Sequence, residues 1–140
     1  MNEKEIQQSL VNLELQRAQL DTLTEQLQLI QMSMEENVRA KETLASFKDT
    51  PPDSEILVPV GGNSFVFAKV GSNSKAIVGI GSGVSVEKPI EEAVKTIEAR
   101  VEELVETYTK LGERRAELEA QTARLSQQVQ QEYQKLQRRA

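Results

Sequence analysis

The sequence has no histidine, no cysteine and no tryptophan. Without imidazole, no side chain has an unperturbed titration near neutrality to serve as a general base. Without thiol there is no thiolate nucleophile, no disulfide and no cysteine-bound zinc. Aromatics are scarce, three Phe and two Tyr in 140 residues, too few to build an aromatic globular core. No apolar run approaches the ~20 residues of a membrane-spanning helix, and the start Met1-Asn2-Glu3-Lys4-Glu5 has no apolar stretch of the signal-peptide kind. A cytoplasmic chain with no membrane partner is expected. A net charge of −5 disfavours nucleic acid as a partner, and the basic tail Lys135, Arg138, Arg139 is accounted for by a helix C-terminus.

What is present is a heptad pattern. From Pro89 to Ala140 one column reads Ile90, Ile97, Leu104, Leu111, Leu118, Leu125, and its neighbour reads Val94, Val101, Tyr108, Arg115, Thr122, Val129, Leu136. An apolar repeat of 3.5 residues needs a supercoiled partner helix to cover it, so this is a coiled-coil seam. The unbroken Ile/Leu column also argues against disorder, which the 28% of charged residues would otherwise invite. The first arm carries Ile6, Leu10, Leu13, Leu20, Leu23, Leu27, Ile30, Met34 and Leu44, with a phase slip at Arg17, Leu20 and Leu23 that reads as a stammer. Arg17 and Arg115 then occupy seam positions, where a charge costs stability and specifies register.

Between the arms lie four short runs of strand formers: Ile56 to Val60, Phe65 to Val70, Ala76 to Ile80, and Val84 to Val86. Gly61-Gly62-Asn63, Gly71-Ser72-Asn73-Ser74 and Gly81-Ser82-Gly83 separate them as turns. Pro51-Pro52 stops the first arm, Pro59 marks an edge or a bulge, and Pro89 is expected at the first position of the second helix. The organisation is therefore a coiled-coil arm over 1–50, a β-hairpin assembly module over 51–88 and a second arm over 89–140. The expected fold class is α+β, an antiparallel two-helix coiled coil joined by two β-hairpins. If facing residue numbers sum to about 139, Arg17 meets Thr122 and Thr24 meets Arg115. Four short strands cannot bury two faces or hide their edges, so Ile56, Val58, Val60, Phe65, Phe67, Ile77, Ile80, Val84 and Val86 are expected to mediate subunit assembly.

Chemistry finds no foothold. Gly79-Ile80-Gly81-Ser82-Gly83 lacks the G-x-G-x-x-G spacing and opens onto another β run, and Gly71 to Lys75 is not a P-loop. Glu102, Glu103 and Glu106 read as a solvated helix face. No catalytic residue, metal ligand or cofactor is expected. The distal ends of the arms are different. Val11, Leu15 and Tyr133 fall off the seam, Glu132 stands where the seam wants an apolar residue, and Gly112 interrupts the second arm at a cost of about 1 kcal/mol against Ala.

Arm, two glycine-turned hairpins, arm, with Ile56-Leu57-Val58-Pro59-Val60-Gly61-Gly62-Asn63-Ser64-Phe65-Val66 and Gly79-Ile80-Gly81-Ser82-Gly83-Val84-Ser85-Val86-Glu87-Lys88: on these segments the chain resembles the alpha subunit of archaeal prefoldin over nearly its whole length. The resemblance implies an ATP-independent cytoplasmic chaperone of two alpha and four beta subunits, joined through an oligomeric β-barrel base. Its coiled-coil tips capture unfolded proteins and pass them to a group II chaperonin. On that pattern the client-binding residues are Ile6, Leu10, Val11, Leu13, Leu15, Val129, Tyr133 and Leu136. The competing reading is a structural spacer or tether that oligomerises through its β module and needs no adhesive tip.

Overall fold

The computed structural model describes residues 1–139. Helix α1 covers Glu3–Lys48 and helix α2 covers Ile90–Arg139, with four strands between them. Strands β1 (Glu55–Gly61) and β2 (Ser64–Lys69) form one antiparallel hairpin; β3 (Lys75–Gly81) and β4 (Val84–Pro89) form another. The two hairpins are separate sheets. This is the expected α+β architecture, and the chain divides into two compact units, one of residues 1–33 with 104–140, the other of residues 34–103.

In the first unit the two helical segments pair antiparallel. Ile6, Leu13 and Val129 are buried together, with Leu125 and Leu136 packed against them. Burial along α1 recurs at Ile6, Ser9, Leu13, Gln16, Leu20, Leu23, Leu27 and Ile30, an unbroken alternation of three and four. The stammer expected from the apolar residues is therefore absent. Ser9 and Gln16 occupy the seam, and Leu10 and Arg17, expected there, are exposed. Thr122 donates to Gln16 Oε1 at 2.8 Å instead of meeting Arg17, and Arg115 Nε donates to Thr24 at 2.8 Å as the register argument expected. The polar residues escaped a reading keyed to hydrophobes, and only their burial reveals the phase.

In the second unit the hairpins are closed by the same device. Gly62 and Asn63 have φ of 57° and 58°, and Ser82 and Gly83 have φ of 54° and 75°. Two consecutive residues at positive φ give the turn whose twist matches a two-residue hairpin. Each turn is preceded by a register shift, between Pro59 and Gly61 and between Gly79 and Gly81, so the bulge expected near Pro59 is present. Pro89 pairs with Lys75 at the end of β4, and α2 begins one residue later at Ile90, not at Pro89. Val70, Val78, Ile90, Ala93 and Ile97 are buried in this unit. Exposed ion pairs Lys41–Glu98 at 3.3 Å and Lys48–Glu91 at 3.2 Å tie α1 to α2 in antiparallel register.

Candidate functional site

Two apolar surfaces are left uncovered by the fold, and they coincide with the two sets of residues singled out in the sequence. The first belongs to the hairpins. In an antiparallel pair, directly opposed residues share a face. Leu57 opposes Phe67 and Pro59 opposes Phe65 on one face of the first hairpin; Val58 opposes Val66 and Ile56 opposes Ala68 on the other. Phe67 is 76% exposed and Ile77, on the second hairpin, is likewise 76% exposed. Val58, Val60, Phe65, Ile80 and Val84 are exposed as well, whereas Ile56 and Val86 are half-buried within the chain. An isolated two-stranded hairpin gains little from its own packing, so this much bare apolar surface marks an association face.

Each hairpin is nonetheless held at its root. Val70 N–H donates to Ser54 O at 2.9 Å and Asp53 N–H donates to Val70 O at 2.8 Å, extending the first ladder beyond its strands. Ile90 N–H donates to Ser74 O at 2.9 Å, which welds the second hairpin to the first turn of α2. Arg100 of α2 donates from its guanidinium to the Gly79 carbonyl, and Lys88 donates to the Thr96 hydroxyl at 3.0 Å.

The second surface lies at the ends of the arms. Of the eight residues expected to touch clients, Ile6, Leu13 and Val129 are buried in the seam and hold the two segments together. Leu10, Val11, Leu15 and Tyr133 are exposed, and Leu136 is half-buried. Ile6, Leu10, Tyr133 and Leu136 line a groove of about 380 Å³ with Glu3, Gln7 and Gln137 at its sides. Its floor is seam residues and its lips are the off-seam Leu10 and Tyr133. Glu132, which interrupts the seam, is half-buried and accepts a hydrogen bond from the Met1 ammonium at 3.1 Å. That bond, chiefly, holds its carboxyl below the ordinary carboxylate value, against a smaller desolvation effect and with help from Lys135. Sequence reasoning missed this pairing, and it missed the exposure of Leu29 and Met32 farther along α1. The latter was legible once Ser9 and Gln16 were admitted to the seam.

The arrangement has no constellation for chemistry. Among the described residues no group of His, Cys, Asp or Glu is spaced to hold a metal ion, and no helix is long and apolar enough to cross a membrane. What the geometry offers is adhesion, with one apolar surface on the hairpins and another on the arms.

A coiled-coil pair with two β-hairpins at its connection defines a class of binding and assembly subunits, and comparison with known proteins gives that class its family. The model of the prefoldin family, described as prefoldin subunit, matches residues 16–135. The prefoldin subunit alpha of Methanopyrus kandleri is 44% identical over 107 residues, covering 74% of this chain and 68% of that one. The prefoldin subunit alpha of Pyrococcus horikoshii is 35% identical over 134 residues, covering 93% of this chain and 90% of that one. A chain of filamentous PFD from Methanocaldococcus jannaschii, seen by cryo-EM, superposes with a TM-score of 0.72 at 29% identity, covering 82% of this chain and 95% of that one. The prefoldin beta subunit of Thermococcus strain KS-1 shares the fold, with a TM-score of 0.59 at 20% identity over 91% of this chain and 90% of that one. The chain belongs to the prefoldin family and is alpha-type in its similarity, which assigns it a chaperone role.

Proposed function

We propose that this chain is the alpha subunit of a cytoplasmic, ATP-independent holding complex. Two copies assemble with four beta-type subunits through a shared β-barrel base. The arm ends capture unfolded proteins, and clients pass onward to a group II chaperonin. The observation that carries this reading is the tip groove, where Leu10 and Tyr133 stand exposed over Ile6 and Leu136. The bare hairpins support the assembly half of the proposal, because β structure from several chains would pair their edges and cover Phe65, Phe67 and Ile77.

Affinity in such a device comes from number rather than from any one contact. A single tip groove of this size grips an extended chain weakly, whereas several tips on a common base raise avidity by about 10²–10⁴. Weak single contacts also allow release one tip at a time, which suits handover. Apolar grip discriminates little between sequences, which suits a binder of many clients.

The test is an aggregation assay without nucleotide. A denatured model protein is diluted into buffer with the complex reconstituted from this chain and a beta-type partner, and light scattering is followed. Suppression of scattering is expected, with client recovered in the complex on size exclusion. A correctly assembled complex that leaves aggregation untouched would favour the spacer or tether and sink the holding role.

A further inference from the structure

We infer that the outward face of α1 between Val11 and Met32 is a second capture surface, one that takes an amphipathic α-helix with basic flanks presented by a non-native client. The inference rests on the holding role proposed above and names the client conformation that one face of the arm selects.

With the seam of α1 assigned by burial, the residues opposite it follow a second alternation of four and three: Val11, Leu15, Ala18, Thr22, Glu25, Leu29, Met32. All seven are exposed, and Leu29 and Met32 are 66% and 64% accessible. Leucine and methionine at such intervals on a solvated helix face are not required by the pairing with α2. Their period is that of helix on helix; an extended chain would present side chains with a period of two. The middle of the stripe is small. Ala18 and Thr22 border a groove of about 360 Å³ with Gln19, Leu23, Gln26 and Leu118, so an incoming helix can approach closely there and seat side chains beside α1.

Charge selects the occupant. Glu14 and Asp21 run along one side of the stripe, Glu25 lies within it, and Asn12, Gln19 and Gln26 run along the other side. None of the three carboxylates has an ion-pair partner among the described residues, and no lysine or arginine lies on either flank. A second copy of the same face would bring carboxylates together, whereas a helix flanked by Lys or Arg would pair with them. The stripe is also broken at Glu25 into two anchors, Val11 with Leu15 and Leu29 with Met32. A permanent subunit interface would be more continuously apolar, so this broken face fits transient capture. Methionine, unbranched and adaptable, suits an anchor that must accept varied side chains.

The experiment measures fluorescence anisotropy of a labelled Leu/Lys amphipathic peptide of about 20 residues, long enough to form helix on a surface, titrated with the reconstituted complex. Two further peptides share its composition except that one carries Glu for Lys and the other carries two central prolines. The expected order has the basic helical peptide bound best, with affinity falling as salt rises from about 0.05 M to about 0.3 M, where the screening length shortens severalfold towards contact distance. The triple variant Leu15→Ser/Leu29→Ser/Met32→Ser, all on exposed positions, should weaken it at least about tenfold. Glu14→Lys/Asp21→Lys/Glu25→Lys should invert the preference towards the acidic peptide. Leu10→Ser/Tyr133→Ser, at the tip groove, should leave peptide affinity unchanged. Circular dichroism and size exclusion report folding and assembly of each variant. Peptide binding that is absent in the parent, indifferent to the stripe variant, or equal for the proline-broken peptide overturns the inference. Because the aggregation assay reads the holding role separately, a complex that suppresses aggregation yet fails these titrations leaves that role standing and removes only this surface.

Discussion

Arg115 of α2 donates from Nε to the Thr24 hydroxyl at 2.8 Å and from Nη1 to Glu119 at 2.9 Å, so a guanidinium in the seam is tied both across to the opposite helix and along its own. Thr24 in turn donates to the Leu20 carbonyl at 2.9 Å. A partly buried charge of this kind adds little stability over a well-packed apolar residue, and its value lies in fixing which residues face each other. Arg115→Leu is expected to leave the melting temperature unchanged or to raise it, by up to about 1 kcal/mol of stability. Register should loosen at the same time. Cysteine pairs at successive trial registers would crosslink at one register in the parent and at several in the variant; a single register in both would mean that Ser9, Gln16 and Thr122 suffice.

Gly112 lies in the continuous α2, and a methyl group added there meets no atom within contact distance. The helix does not need a glycine at this place for room. Gly112→Ala should raise stability by about 0.5–1 kcal/mol through the lower conformational entropy of the unfolded chain. A chemical denaturation midpoint that falls instead would show that flexibility at Gly112 is needed by the fold.

The second arm was legible because Ile and Leu recur at strict sevens, and its two columns are those the structure pairs. The first arm was legible in kind but not in phase. Ser9 and Gln16 hold seam positions, while Leu10, Val11, Leu15, Leu29 and Met32 lie outside it, so a count of hydrophobes sees a slip that burial does not. The hairpins were legible from their turn glycines, since Gly62-Asn63 and Ser82-Gly83 must both reach positive φ. At the arm ends, spacing marked the correct neighbourhood without separating Ile6 and Val129, which hold the helices together, from Leu10 and Tyr133, which face outward. That separation depends on register, and register depends on the polar residues.

The hairpins are expected to carry assembly. Phe67→Ser/Ile77→Ser removes two of the most exposed apolar side chains on the two hairpins, neither of which packs within its own chain. Mass photometry of the variant with its beta-type partner should show loss of the large complex while helical circular dichroism stays within about a tenth of the parent, since exposed substitutions cost little. An undiminished complex would place assembly in the arms.

Acid should loosen the junction between α2 and α1. The Glu91 carboxyl is held below its ordinary value of 4.5, chiefly by a hydrogen bond from the helix-terminal backbone and then by Lys48. A carboxyl with a lowered folded-state pKa contributes stability that is present above the unfolded value and is lost as pH falls through the folded one. The window therefore lies below about pH 5, where the unfolded chain begins to take up protons first. Glu91→Gln should lower the melting temperature slightly at pH 7 and by progressively less towards pH 3, and added salt should shrink the difference because the pair is exposed. Melting curves of parent and variant that stay parallel across this range would remove Glu91 from the account.

The arm ends are expected to separate holding from stability, residue by residue. Ile6 and Val129 are buried against Leu13, Leu125 and Leu136, so Ile6→Ala should cost about 2–4 kcal/mol and Val129→Ala somewhat less. Leu10 and Tyr133 stand at the lips of the groove and are exposed, so Leu10→Ser/Tyr133→Ser should change stability by under about 0.5 kcal/mol for each residue. Clients read the opposite order. Loss of Leu10 and Tyr133 removes the apolar area that this subunit offers at its tip, worth ~25 cal/mol for each Å² that a client would bury. Because linked tips multiply, a small deficit at each one becomes a large deficit in avidity. Aggregation assays at equal complex concentration, below the melting point of every variant, should show Leu10→Ser/Tyr133→Ser failing to suppress scattering while Ile6→Ala still suppresses it. If the lip variant holds clients as well as the parent and the seam variant does not, clients bind an opened seam rather than the groove. Ile6, Leu13 and Val129 would then be the residues that touch them.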